Sequence, residues 1–137
     1  MGINQRAAIV MSDDEIEEFI NRHRVATLGT HGKDAIHLTA MWYGVIDGEI
    51  WFETKAKSQK VVNLRRDPHA TVLIEDGDTY DTLRGVSIEG TVEVYDDAES
   101  CLKVGISVWE RYTGPYSDDL QPAVEAMMNK RVAVRLV

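Results

Sequence analysis

Hydrophobic positions near the start of the chain follow a helical spacing. Ile16, Phe19 and Ile20 stand at i, i+3 and i+4, which places them on one buried face. Ser12 and Glu15 occupy the two positions of a capping box, the signal of a helix N-terminus. After this helix the apolar period changes to two, and that change predicts strands.

Six strands are predicted from the alternation of apolar and polar residues and from the turn signals between them. They cover residues 24–30, 35–46, 49–54, 69–75, 84–95 and 131–137. Asp47 and Gly48 form a strong two-residue hairpin signal between the second and third strands. The connections are too short for the crossovers of a parallel sheet, so we expect antiparallel strands. Because closure removes exposed sheet edges, the pattern favours a closed or nearly closed β-barrel.

Short helices are predicted between these strands, at about 58–66, 97–112 and 122–129. Ser58 can cap the first of them, and Pro68 follows its end. In the second, Leu102, Ile106 and Trp109 share one face, which we expect to be buried.

Composition limits the class of protein. A chain of 137 residues is expected to form one domain, here 1–137 with residues 1–11 as an N-terminal arm. No apolar run approaches the roughly 20 residues of a membrane span. The single cysteine, Cys101, fits a reducing cytoplasm, which is the expected location. The chain has 15 basic and 23 acidic residues, and its net charge of -8 disfavours nucleic acid and anionic membranes as partners.

One part of the chain departs from this acidic balance. Residues 55–66, called the basic segment below, hold five of the fifteen basic residues and no acidic one. Lys55, Lys57 and Lys60 lie where a strand end leads into a helix N-terminus, a natural place for a phosphate group. Two interpretations remain open at this point, an anion site and a solvated surface helix.

Aromatic residues flank the predicted hairpin. Trp42, Tyr43 and Trp51 would either form the wall of a planar ligand site or fill the barrel core or a dimer interface. The four histidines show no spacing that would bring two metal ligands together, so no metal site is predicted.

Several short motifs occur in the order and spacing of a known superfamily. They are LTAMWYG at 38–44, DG at 47–48, WFET at 51–54, SQK at 58–60, NLRRDP at 63–68 and GVSIEG at 85–90. With these motifs the chain, over about 12–137, resembles the pyridoxamine-phosphate-oxidase-like split β-barrel superfamily, and within it the actinobacterial flavin/deazaflavin-dependent oxidoreductases of class B. The resemblance implies a mainly β fold, a six-stranded antiparallel split β-barrel with short flanking helices. It also implies an obligate homodimer with a flavin-type cofactor in a groove between the subunits.

The resemblance further implies which residues bind the cofactor. The strand over 38–43 would run along the tricyclic ring, with the backbone of Ala40 and Met41 near its polar edge. Thr54 and Ser58 would lie beside the phosphate, together with Lys60, which matches the phosphate-binding lysine of the superfamily. The expected cofactor-binding residues are Leu38, Thr39, Ala40, Met41, Trp42, Thr54, Lys55, Lys57, Ser58, Lys60 and Asn63. No side chain is expected to be catalytic, because the cofactor carries the hydride chemistry.

The distribution of charge favours one cofactor of this superfamily over another. The FMN-binding oxidases have basic residues at the positions of Leu38, Tyr43 and Gln59, which are uncharged here, whereas Lys55 and Lys57 add charge elsewhere. The deazaflavin F420 carries a phosphodiester and a polyglutamate tail, for which a lysine-rich loop is suited. The resemblance therefore implies an F420-dependent oxidoreductase that transfers a hydride to a small organic acceptor. The alternatives are an FMN-dependent enzyme, a protein that binds or carries F420 without turnover and, more distantly, a haem-binding relative.

Overall fold

Seven strands and four α-helices make up the computed structural model, which describes residues 10–137, so nearly all of the predicted arm lies outside it. In chain order the elements are α1 (Asp13–Arg22), β1 (Ala26–His31), β2 (Ile36–Met41), β3 (Gly44–Ile46), β4 (Glu49–Lys55), α2 (Gln59–Arg66), β5 (His69–Asp76), β6 (Arg84–Tyr95), α3 (Ala98–Tyr112), α4 (Gln121–Met127) and β7 (Arg131–Leu136). A short 3-10 turn, Asp118–Leu120, precedes α4. Within residues 10–137, every helix is too short or too polar to cross a membrane.

The strands form one antiparallel sheet in the order β2-β1-β5-β6-β7-β4-β3. The 12-residue strand β6 pairs with β5 along most of its length and with β7 at its end, so it belongs to both halves of the sheet. The two edge strands, β2 and β3, are separated by only two residues of sequence. Since consecutive Cα atoms are about 3.8 Å apart, this connection holds the two ends of the sheet near each other, and the sheet curls. The predicted closed or nearly closed barrel is not formed: within residues 10–137 the sheet is a half-barrel in which β2 pairs with β1 and β3 with β4, but not with each other. The predicted mainly β, antiparallel architecture with short flanking helices is confirmed.

The prediction of six strands is wrong, because the strand expected over 35–46 is broken at Tyr43. The backbone N–H of Tyr43 donates to the Tyr112 hydroxyl at 2.9 Å, and its carbonyl accepts from the Arg111 side chain at 2.9 Å. The Tyr43 ring is fully buried, and its hydroxyl donates to the Ile20 carbonyl at 2.6 Å. Side chains thus take the backbone groups that a neighbouring strand would have bonded, and the chain divides into β2 and β3.

The helix starts follow the local signals. Both hydrogen bonds of the predicted capping box are present, each 3.2 Å long, between Ser12 and Glu15. Ser58 stands at the N-cap position of α2, as predicted, but its hydroxyl makes no capping hydrogen bond. In α3 the cap is Asp97, whose carboxylate accepts from the Ser100 N–H at 2.9 Å.

The buried face of α3 differs from the predicted one. Leu102, Ile106 and Trp109 are only half-buried, and the buried residues are Cys101, Val104, Gly105 and Val108. This face contacts α4, where a Cβ atom on Gly105 would lie 2.7 Å from Val124. Helical spacing is compatible with either face, and the close approach of α4 selects the one that contains the glycine.

Two groups of buried residues hold the molecule together. The larger fills the barrel and includes Tyr43, and a second, between α3 and the sheet, includes Trp51 and Cys101. Two of the three hairpin aromatics therefore pack in cores, whereas Trp42 remains 56% exposed.

Candidate functional site

A groove of about 580 Å³, called the β2–α3 groove below, lies between the end of β2, the β4–α2 connection and the C-terminal part of α3. Eight of the eleven expected cofactor-binding residues line it: Thr39, Ala40, Met41, Trp42, Thr54, Lys55, Ser58 and Lys60. The structure thus brings together residues from β2, from β4 and from the basic segment.

The other three expected residues lie elsewhere. Leu38 is 68% exposed and lines a separate groove on the outer face of the sheet. Asn63 is a buried residue of α2. Its side-chain amide donates to the Thr30 hydroxyl at 3.1 Å and accepts from Gln59 at 2.8 Å. Lys57 is exposed and is not among the residues that line the β2–α3 groove. The bonds of Asn63 assign it a part in holding α2 against the sheet.

Ser58 carries an unsatisfied polar group at the N-terminus of α2. Its hydroxyl oxygen is buried and has no hydrogen-bond partner in the described part of the chain. A buried polar atom without a partner costs about 1–3 kcal/mol. A helix N-terminus attracts anions through its free N–H groups and its dipole. An anionic ligand oxygen in the groove would satisfy both groups.

Lys60 lines the same groove as this hydroxyl. Burial lowers the pKa of its ammonium group, and the positive charge of Arg131 lowers it further, while Glu53 acts in the opposite direction. A cation that has lost part of its hydration gains more from an anionic ligand than a fully hydrated surface lysine does.

Glu53 and Arg131 are two charged lining residues that the sequence pattern did not reveal. Arg131 Nη1 lies 3.0 Å from Glu53 Oε2, and the Glu53 side chain is only 13% exposed. Arg131 begins β7, and it reaches the groove because β7 pairs with β4. No local signal marks a contact between residues so distant in sequence. The basic segment contains no acid, but Glu53, just before it, supplies one to the same site.

Aromatic side chains form another part of the groove lining. The Trp42 ring stacks on Tyr112, with centroids 4.3 Å apart and planes 7° from parallel. The Tyr112 hydroxyl donates to the Arg24 carbonyl at 2.6 Å, and Trp109 completes this lining. The sequence indicates Trp42 as a site residue but not Trp109 or Tyr112, because helical spacing alone predicts a different buried face for α3. The groove therefore combines cations with an aromatic surface suited to a planar group.

The outer face of β1, β2, β5 and β6 has a different character. It carries a groove of about 680 Å³ whose lining includes the exposed side chains of Ile36, Leu38 and Leu73. Their exposed fractions are 67%, 68% and 41%. Clustered exposed apolar residues of this kind are typical of interaction surfaces.

Comparisons with known proteins identify relatives of this chain. A family model described as pyridoxamine 5'-phosphate oxidase matches residues 12–137. Among curated proteins, none matches. A crystal structure of a conserved hypothetical protein from Mycobacterium tuberculosis is 65% identical, with a TM-score of 0.93 over 98% of this chain and 85% of that one.

Two more distant structures share the fold alone. An F420 reductase is 24% identical, with a TM-score of 0.67 over 93% of this chain and 94% of that one. The heme storage protein from Vibrio cholerae is 12% identical, with a TM-score of 0.70 over 93% and 89% of the two chains.

Proposed function

Because the chain belongs to the pyridoxamine 5'-phosphate oxidase family, we propose that it binds F420 in the β2–α3 groove as a class B flavin/deazaflavin-dependent oxidoreductase. When bound, the cofactor would supply hydride transfer to a small organic acceptor. The protein binds it, orients it and excludes water. The observation that carries this proposal is that one groove is lined by the Ser58 hydroxyl, which has no partner in residues 10–137, by Lys60 and Arg131, and by the Trp42–Tyr112 stack.

The cationic part of the groove fits the phosphodiester of F420. The Ser58 hydroxyl would donate a hydrogen bond to a phosphate oxygen, the N-terminus of α2 would attract the same anion, and Lys60 and Arg131 would offset its charge. Lys55, exposed at the groove lining, is available to the polyglutamate tail. Of these groups, the Ser58 hydroxyl has no partner in the described residues, whereas Arg131 also contacts Glu53.

Three residues of this chain stand at positions that are basic in the FMN-binding oxidases, and they favour F420 over FMN as the cofactor. Leu38 lies outside the groove, Tyr43 is buried with its hydroxyl bonded to backbone carbonyls, and Gln59 is bonded to Asn63. None of the three offers a positive charge to the terminal phosphate of FMN.

The location of β2 at the edge of the sheet is an argument for placing the planar ring of the cofactor there. It stands at the end of the sheet and pairs with β1 on one side. An edge strand keeps a row of backbone N–H and C=O groups available on its other side. Backbone groups at Ala40 and Met41 would hydrogen-bond the polar edge of the ring, while Trp42 lies against the ligand.

The outer apolar face supports a homodimer as the working form of the protein. Ile36, Leu38 and Leu73 expose apolar surface on the sheet around a concave groove. A second copy of the chain would remove this surface from water. We also propose a cytoplasmic location, because the single cysteine, Cys101, is a buried free thiol.

Binding of F420 and FMN to the purified protein, measured side by side, tests the cofactor assignment. We expect F420 to bind at least about tenfold more tightly, which corresponds to 1.4 kcal/mol. The polyglutamate tail of F420 would be partly solvated, so added salt should screen its attraction to the lysines, with a screening length of about 8 Å at physiological ionic strength. The preference for F420 over FMN should therefore decrease as salt is added. Equal affinity for FMN at low salt would overturn the assignment. Tight F420 binding without acceptor-dependent oxidation of the reduced cofactor would indicate a carrier instead of an enzyme.

A further inference from the structure

We propose that Glu53 sets the charge of the phosphate site, so that the site accepts a singly charged phosphodiester in preference to a doubly charged phosphomonoester. This inference rests on the proposed function, and it assigns the selection between the two cofactors to one side chain.

Three charged groups share the interior of the β2–α3 groove. Glu53 and Arg131 form a contact of 3.0 Å, with side chains 13% and 32% exposed. Lys60 lines the same groove and is half-buried. The pKa of Lys60 responds to both neighbours, lowered by Arg131 and raised by Glu53, which places the three charges within electrostatic reach of one another.

The remaining cations of the basic segment contribute less to this balance. Lys55 and Lys57 are exposed, and charges on exposed side chains are strongly screened by water and salt. Lys55 also lines the groove, but the three partly buried charges, Lys60, Arg131 and Glu53, sum to +1.

A net charge of +1 matches a monoanion. A phosphodiester brings one negative charge and leaves the partly buried site neutral. A phosphomonoester, whose second pKa is near 6, brings close to two charges at pH 7.5 and leaves an uncompensated negative charge beside Glu53. Uncompensated charge in a poorly solvated site is costly, so the carboxylate disfavours the dianion.

Removal of the Glu53 charge should weaken this selection. The repulsion between a carboxylate and a ligand is proportional to the ligand's charge, so Glu53→Gln relieves a dianion about twice as much as a monoanion. The amide remains able to accept a hydrogen bond from Arg131 and keeps the volume of the side chain.

A second Arg–Glu pair on the same two strands provides a matched control. Glu49 Oε2 lies 2.8 Å from Arg135 Nη2, again between β4 and β7, and Glu49 does not line the β2–α3 groove. Glu49→Gln changes the net charge of the protein by the same amount, but away from the proposed phosphate site.

Dissociation constants of F420 and FMN, measured for the wild-type, E53Q and E49Q proteins at pH 7.5, test the inference. We expect E53Q to shift the ratio of the two constants about tenfold in favour of FMN. In E49Q the ratio should stay within about twofold of wild type. An unchanged ratio in E53Q, with F420 still bound by all three proteins, would refute the inference and leave the proposed function standing. Absence of F420 binding to the wild-type protein would refute the proposed function itself.

A measurement on the wild-type protein alone covers the case in which E53Q does not fold. FMN and its phosphate methyl ester share the same ring and differ in phosphate charge. At pH 7.5 the ester, a monoanion, should bind the wild-type protein more tightly than FMN. Equal or weaker binding of the ester would contradict selection against the dianion.

Discussion

Lys60 combines three properties that bear on phosphate binding. It lines the groove, it lies within the first turn of α2, and burial lowers the pKa of its ammonium group. A ligand anion restores the favourable environment that burial removed, so binding free energy and Lys60 protonation are coupled. Ser58 adds an uncharged donor from the N-cap position. At the scale of single residues, the candidate site combines one buried hydroxyl without a partner in the described residues and one partly buried cation.

Replacement of Lys60 by alanine should weaken F420 binding by about 10–150-fold, because a hydrogen bond to a charged group is worth about 1.5–3 kcal/mol. The change is measured by titration of the purified variant with F420. Lys33→Ala, in the β1–β2 turn and outside the basic segment, serves as the control and should alter affinity little. Equal small effects of the two substitutions would indicate that the basic segment is a solvated surface helix.

At the scale of elements, α1 is joined to the β5–β6 hairpin through Asp76. One carboxylate oxygen lies 2.6 Å from His23 Nε2, just after α1, and the other lies 2.8 Å from Arg84 Nε on β6. Hydrogen bonds from Arg84 and then His23 lower the pKa of Asp76 to about 2. Three elements that are separated in sequence thus meet at one ionised side chain.

This contact predicts a specific dependence of stability on pH. The pKa of Asp76 is depressed in the folded protein, so its contribution is present above the unfolded value of 3.8 and is lost as pH falls toward 2. Asp76→Asn should therefore lower the free energy of unfolding near neutral pH, and the difference from wild type should shrink between pH 4 and 2. Urea denaturation of both proteins as a function of pH measures this difference in the free energy of unfolding. Asp78→Asn, in the following loop, is the control, and a pH-independent difference for Asp76→Asn would contradict the account.

At the scale of the whole molecule, the barrel presents two surfaces with different chemistry. The β2–α3 groove is charged and aromatic, whereas the outer sheet face exposes three large apolar side chains among threonines and histidines. Both surfaces include residues of β2, whose Leu38 lies on the outer face and whose Thr39 lies in the groove. Association through the outer face would therefore place a dimer interface next to the proposed cofactor site.

The expected dimer is tested by sedimentation equilibrium. The wild-type protein should sediment at about twice 15.4 kDa at micromolar concentration. Leu38→Glu should shift the equilibrium to the monomer, because it would bury a charge without a partner in the interface. Leu83→Glu, at a similarly exposed apolar residue outside this face, should leave the dimer intact. A wild-type protein that sediments only at 15.4 kDa would refute the dimer.

The sequence by itself determined the features that depend on a few neighbouring residues. The capping box of α1 is present, and the Asp47-Gly48 hairpin forms with φ of 52° and 78°, as its turn type requires. The alternation of apolar residues and the short connections correctly indicated antiparallel strands, and eight of the fifteen residues that line the groove are ones that the family resemblance implied. Caps, turns and side-chain alternation are local properties, so they can be read from the order of residues.

Only the tertiary structure decided the features that depend on partners distant in the chain. Arg111 and Tyr112 of α3 take the backbone groups of Tyr43 and break the predicted strand. Strand pairing brings Arg131 to Glu53, and the approach of α4 selects the buried face of α3. A pattern of apolar positions fixes the period of an element but not the identity of its neighbour. Contacts between distant residues become defined only when the sheet curls and the helices pack against it.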